Sequence, residues 1–314
     1  MLIVRESAKA ITDAVGAVVV GRDRALHLTL AAVLAGGHVL LEDVPGLGKT
    51  LLARSLAGAI GLRFARLQCT PDLQPADVTG SFVFDPTERE FTFRPGPVFT
   101  GLLLADEINR TPPKTQSALL EAMQERQVTV EGRTFPLPRP FHVLATANPI
   151  EYEGTYPLPE AQLDRFLLRV DIGYPPADDE VEVLRRRLER RKEEAAVDAV
   201  VDDLAVLQAA VEQVDVDPDI LRYCVDLARA TREHPSVEVG ASPRGSQALL
   251  LVARALAVLD GRDFVLPEDV KECAVPALAH RLTLRPETWS SGATGVEVVT
   301  ELLGSVPGPA GARA

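Results

Sequence analysis

The eight residues Asp43-Val44-Pro45-Gly46-Leu47-Gly48-Lys49-Thr50 constrain this chain more than any other stretch. The apolar run His38-Val39-Leu40-Leu41-Glu42 ahead of them reads as a short buried strand, and the apolar spacing over 51–60 predicts a helix behind them. A strand, a glycine loop, a Lys-Thr pair and a helix make a phosphate cradle. Glycines let backbone N–H groups close on anionic oxygens, the helix contributes its positive N-terminal end, the lysine supplies charge and the hydroxyl can ligate magnesium. Val44, Pro45, Gly46, Leu47, Gly48, Lys49, Thr50 and Leu51 are therefore the expected phosphate-binding residues, with Thr50 also a metal ligand.

A second buried strand, 102–106, ends in Asp106-Glu107. In a parallel α/β sheet the carboxyl ends of the strands line the ligand crevice, so this acidic pair points where the phosphates belong. Asp106 would hold magnesium directly or through water, and Glu107 would polarise an attacking water. A third strand, 141–147, ends at Asn148-Pro149, where the asparagine is either a γ-phosphate or water contact or an Asx turn before proline. Near the N-terminus, helices are predicted over 7–20 and 23–35, and Gly21 after Val20 is either an ordinary turn residue or bare backbone that a base or ribose can approach.

Composition narrows the partners. Against 33 basic residues stand 45 acidic ones, a net charge of −12 over 314 residues, which disfavours non-specific attraction to nucleic acid or to an anionic membrane. Cys69, Cys224 and Cys273 are scattered and form no CxxC pair, as expected of reduced thiols in a core. Arg5, Glu6, Lys9 and Asp13 interrupt the N-terminal apolar pattern, and no uncharged apolar run reaches spanning length, so no direct membrane insertion is expected.

Two hairpins are predicted, one pairing Ser81-Phe82-Val83-Phe84 with Glu90-Phe91-Thr92-Phe93 and one turning at Glu131-Gly132. Between them a helix opens at Thr111-Pro112-Pro113, with Thr111 as expected cap. Arg165, after a short helix, either reaches a neighbouring subunit's nucleotide or pairs with Asp164 or Glu160. Gly173-Tyr174-Pro175-Pro176 marks a boundary, beyond which the pattern reads as purely helical. The first of those helices, 178–194, carries Val181, Leu184 and Leu188 at helical spacing, with arginines and glutamates interleaved as a salt-bridged face. Further helices are predicted over 204–213, 219–232, 243–259 and 267–281. Arg244 sits at the start of one, after Ser242-Pro243.

In this order, Val19-Val20-Gly21, the phosphate loop, Ala105-Asp106-Glu107-Ile108-Asn109-Arg110, Ala145-Thr146-Ala147-Asn148-Pro149, Leu163-Asp164-Arg165-Phe166 and Ser242-Pro243-Arg244 together resemble the MoxR family of AAA+ ATPases over residues 5–290. The resemblance implies an αβα nucleotide domain with a five-stranded parallel sheet (1–172), a linker (173–177), a smaller all-helical lid (178–303) and a flexible tail (304–314). The hairpins would be a helix-2 insert (about 81–95) and a pre-sensor-1 hairpin (about 127–138). It also implies ATP and Mg2+ as cofactors. Lys49 and Thr50 would be the Walker A pair, Asp106 and Glu107 the Walker B pair, and Asn148 sensor 1. Arg165 would be an arginine finger acting in trans, with Arg110 and Arg169 as rivals, and Arg244 a sensor 2 acting in cis. The family pattern further implies a cytoplasmic ring, expected to be a hexamer, that remodels client proteins, among them ones with a von Willebrand A domain. Asp43 departs from it, standing where the first glycine of the loop belongs. Three competing readings are a helicase-like nucleic-acid motor, for which the second hairpin offers only Arg126 and Arg133 against Glu125 and Glu131, a metal-chelatase motor subunit, and a scaffold that binds ATP without turning it over.

Overall fold

The computed structural model describes residues 2–44, 46–148, 155–190, 197–201, 203–289 and 292–309; Pro45, Pro149, the charged residues 191–194 and the last five residues of the expected tail lie outside the described residues. Two helices open the chain, α1 (Leu2–Gly16) and α2 (Asp23–Leu34). The central sheet takes β1 (Val39–Glu42), then β2 (Phe64–Gln68) after helix α3 (Lys49–Ala59). A short helix α4 (Pro75–Thr79) leads into the hairpin β3 (Gly80–Asp85) and β4 (Glu90–Pro95). The chain returns to the sheet as β5 (Leu102–Asp106), leaves along α5 (Pro113–Glu125), makes the second hairpin from β6 (Gln127–Val130) and β7 (Arg133–Pro136), and re-enters as β8 (His142–Ala147). A short helix α6 (Glu160–Leu163) precedes the last sheet strand, β9 (Leu168–Asp171).

All five sheet strands are parallel, in the order β2-β5-β8-β1-β9. β5 and β8 are buried along their whole length, which is why they read as unbroken apolar runs rather than alternating ones. β2, at the edge, keeps Arg66 and Gln68 open and buries Leu67 between them. α5 begins at Pro113 with Pro112 as its cap residue and no side-chain capping bond, so Thr111 does not cap it.

Beyond the linker come α7 (Ala177–Arg190), α8 (Leu204–Val211), α9 (Pro218–Glu233), β10 (Val237–Val239), α10 (Pro243–Leu259), α11 (Pro267–Leu278), β11 (Thr283–Leu284), α12 (Pro286–Trp289) and α13 (Gly295–Ser305). Asp203, Asp217 and Ser242 cap α8, α9 and α10 through their side chains. The lid is helical apart from the small antiparallel ribbon β10–β11, too short to leave an alternating pattern in the sequence. α13 also extends past the expected start of the tail at residue 304; Thr294 and Glu297 close a capping box at its N-terminus.

One hydrophobic cluster joins α1, α2 and α3 to α8, α9, α10 and α11, so the lid is seated against the first two helices. Val181, Leu184 and Leu188 on α7 do not join it: Leu184 and Leu188 are 65% and 79% exposed. The flank of α7 beside them is salt-bridged as the sequence suggests, with Glu182 holding Arg185 and Arg186. No helix among the described residues is long and apolar enough to cross a membrane.

Candidate functional site

The phosphate loop leaves β1 and enters α3 at the carboxyl edge of the sheet. Gly46 and Gly48 take φ of 88° and 85°, a left-handed backbone that turns the loop, and Gly48 is the cap residue of α3. A cavity of about 380 Å³ opens there, lined by Gly48, Lys49, Thr50, Asp106, Glu107 and Asn148 among others, so the cradle, the acidic pair and the strand-tip asparagine are brought together as expected. Burial lowers the Lys49 ammonium below its ordinary value, with Asp43, Asp106 and Glu107 acting in the other direction. Thr50 and Asp106 offer one hydroxyl and one carboxylate, hard oxygen donors suited to a magnesium ion that takes its remaining ligands from phosphate and water. Among the described residues no three His, Cys, Asp or Glu side chains are grouped to hold a metal unaided.

Asp43 does not face the phosphates. Its carboxylate accepts from its neighbour Val44 N–H at 2.7 Å and from Gly173 N–H at 2.5 Å, tying the start of the loop to the start of the linker. Its carbonyl oxygen accepts from Lys49 Nζ. A glycine there would have no carboxylate to reach the linker.

Thr146, on β8, orients the acidic pair. Its hydroxyl donates to Asp106 Oδ1 at 2.7 Å and accepts from Glu107 N–H at 2.8 Å. Glu107 itself adopts φ 61°, an uncommon conformation for a residue with a side chain. Two residues of β2 bond to the acidic pair: Arg66, which also lines the cavity, donates to Asp106 Oδ2, and Gln68 donates to Glu107 Oε2 at 3.1 Å. Arg110 pairs with Glu107 of its own chain at 3.3 Å, and Arg169 pairs with Glu42 across β9 and β1 at 3.3 Å. Asn148 is buried, and its carbonyl accepts from Asn109.

Beside the loop lies a larger apolar cavity of about 510 Å³, walled by Val18, Val20, Leu51, Tyr174, Pro175 and Leu184 among others. It shares Gly46 and Gly48 with the phosphate cavity and has the size and character a purine ring requires. Val20 is one of the residues that line this cavity. Gly21 is next to it, but the space a side chain would need there is taken by Asp179 of α7, whose Oδ2 would stand 2.7 Å from an added Cβ.

Arg165 and Arg244 stand elsewhere. β1 and β9 run in register from Val39↔Leu168 to Glu42↔Asp171, and Leu167 N–H donates to His38 O just ahead of both. Arg165 therefore lies at the amino edge, a strand length of about 13 Å from the edge that carries the phosphate loop. There a cavity of about 260 Å³ is lined by Arg126, Asp164, Arg165, Arg244 and Arg281. Asp164 does not pair with Arg165: it accepts from Arg281 Nε at 2.8 Å and from Ser242 at 3.2 Å, with Arg244 3.6 Å away. Arg165 Nε is buried without a hydrogen-bond partner. The expected placement of Arg244 over its own nucleotide is not what the structure shows, because α10 packs on α1 and α2 and delivers Arg244 to the amino edge.

A cradle, acidic pair and polar strand tip on a five-stranded parallel sheet, followed by a helical lid, define a P-loop ATPase of the AAA+ class. Residues 38–168 match the ATPase family associated with various cellular activities (AAA), and residues 229–302 match the AAA lid domain. The chain is 50% identical to YeaC of Bacillus subtilis over 93% of this chain and 92% of that protein. It is 42% identical to Chaperone MoxR1 of Mycobacterium tuberculosis, over 93% of this chain and 80% of the relative. A crystal structure from Cytophaga hutchinsonii superposes with a TM-score of 0.91 at 40% identity, covering 99% of this chain and 97% of the other. The chain belongs to the MoxR family of AAA+ ATPases.

Proposed function

We propose that the protein is a magnesium-dependent ATPase that works as a closed ring, six-membered as its family resemblance implies, and remodels client proteins in the cytoplasm. The observation that carries this reading is the split site. Lys49, Thr50, Asp106, Glu107 and Asn148 share one cavity, while Arg165 and Arg244 share another at the opposite edge of the sheet. In a ring, the amino-edge cavity of one subunit meets the phosphate cavity of the next. Lys49 and the loop amides hold the phosphates and Asn148 contacts the terminal one. Glu107 takes a proton from the attacking water, and the neighbour's Arg165 and Arg244 offset the charge that builds on the transferred group. Thr50 and Asp106 would hold a magnesium ion, which would supply neutralisation of the phosphate charge when bound.

The client is a protein, with those carrying a von Willebrand A domain the class the family resemblance suggests. Nucleic acid is a poor fit: the hairpin that would touch it spends Arg133 on the Phe82 ring, 5.2 Å from its centroid, and the chain is acidic overall. Replacing Glu107 by Gln is expected to leave ATP binding within a few-fold and to reduce phosphate release by at least about a hundredfold. Steady-state phosphate release at the wild-type rate would remove Glu107 from the chemistry, and an absence of release from the wild type would favour the scaffold reading.

A further inference from the structure

Asp106 has two carboxylate oxygens, and both are engaged. Oδ1 accepts from the Thr146 hydroxyl at 2.7 Å, and Oδ2 accepts twice from Arg66, from Nη2 at 2.6 Å and from Nε at 3.1 Å. The Thr146 hydroxyl is itself pinned by the Glu107 N–H on a buried strand, so it is not the group that gives way. Arg66 is. Its side chain is 47% exposed on the edge strand β2, against 12% for Asp106, and it has room to swing. A divalent ion and a guanidinium cannot share one oxygen without like-charge repulsion at close range.

We infer that Arg66 is a competitor for the metal site, a tethered cation that neutralises Asp106 and must be displaced for a divalent ion to engage it. This rests on the assignment of Asp106 as a metal-holding residue. Gln68 holds the competitor in place, since its Oε1 accepts from Arg66 Nη2 at 2.7 Å. The displaced guanidinium stays in the cavity it shares with Lys49, where the Glu107 carboxylate and the oxygens of a triphosphate are the anions open to it. Arg66 is in this sense a positioning residue. It sets how much metal the site requires before it loads.

The test uses the full chain saturated with a non-hydrolysable ATP analogue and titrated with Mn2+, whose free ion is followed by electron paramagnetic resonance. Arg66→Met, similar in length and without charge, is expected to bind Mn2+ about tenfold tighter than the wild type, and Arg66→Lys to stay within about twofold. Gln68→Ala, which loosens the arginine and also frees Glu107 Oε2, leaves the charge of Arg66 in place and is expected to shift the affinity in the same direction by about two- to threefold. Analogue affinity in EDTA, measured alongside, separates any phosphate contact of Arg66 from its effect on the metal, and thermal melts confirm folding. Mn2+ affinity in Arg66→Met equal to or weaker than the wild type overturns the proposal. Asp106→Asn serves as the reference: if it leaves Mn2+ affinity unchanged, the assignment of Asp106 fails; if it weakens binding while Arg66→Met has no effect, competition alone fails.

Discussion

Acid should weaken this fold through two buried histidines. His38 lies just ahead of β1 and His142 opens β8, and burial pushes their imidazoles down to about 3 and about 4. Their partners require the neutral form. His38 accepts the Val143 N–H at Nδ1, 2.9 Å away, and faces the Met123 carbonyl with Nε2; His142 faces the Gly37 carbonyl with Nδ1 and accepts from Gln208 at Nε2, 3.1 Å away. A second proton on either ring would set a donor against a donor. In the unfolded chain both take up protons below about pH 6.5, whereas the folded protein takes them up only near pH 4 and pH 3, so stability is lost as pH falls from 6.5. At pH 5.0 each histidine has forgone about 1.5 pH units at 1.36 kcal/mol per unit, about 2 kcal/mol, and the pair about 4 kcal/mol. Against a typical stability of about 5–15 kcal/mol this is large. The check is urea unfolding at pH 7.5 and 5.0 for the wild type and His142→Gln, with the variant losing about 2 kcal/mol less over the interval. Parallel losses in the two proteins, or a folded-state titration of His142 near pH 6.5 by NMR, would refute the reasoning.

Two further outcomes follow from the amino edge. Arg165→Ala and Arg244→Ala rings are each expected to turn over ATP at least about a thousandfold and tenfold more slowly, and mixing either with Lys49→Ala subunits should restore activity at about a quarter of interfaces. An Arg244→Ala mixture that stays inactive would return that arginine to its own subunit's nucleotide. Arg281→Met, which strips a buried guanidinium from Asp164 and from the Phe166 and Leu167 carbonyls, is expected to cost about 3 kcal/mol in a urea titration, and a loss below about 1 kcal/mol would show the knot between core and lid to be dispensable.

What could be read from the sequence was whatever local spacing encodes. β1, β5 and β8 announce themselves as apolar runs ending in polar tips, so the cradle, Asp106-Glu107 and Asn148 were legible, as was the Glu131-Gly132 turn, whose residues take φ of 49° and 77°. Arg66 and Gln68 were not, because alternate polar residues on an edge strand look the same whether they face water or a site. Thr146 was hidden inside a buried strand. Tyr174 and Leu184 line the apolar cavity beside the loop only because the linker and α7 come back to Val18 and Gly46, and the seat of Arg244 depends on where α10 packs, two consequences of tertiary structure that no local pattern carries. The capping box of α13 was present in the spacing of Thr294 and Glu297, three residues apart, and could have been found.

The two hairpins are joined face to face. Phe93 of the first and Phe135 of the second stack with centroids 4.0 Å apart and planes 11° from parallel, and Phe82 packs against both. At the free end of the first hairpin, Phe84 and Phe91 form an exposed edge-to-face pair. The second hairpin grows directly from α5, a rod of about 20 Å whose other end adjoins the turn holding Glu107. A tilt of that rod would therefore move both hairpins in step, and a pair of aromatic rings at the far tip would travel farther than the atoms at the phosphate cavity. The packing is that of a lever: a small displacement beside Glu107 would become a long one at the fingertips, delivered through a single linkage instead of two.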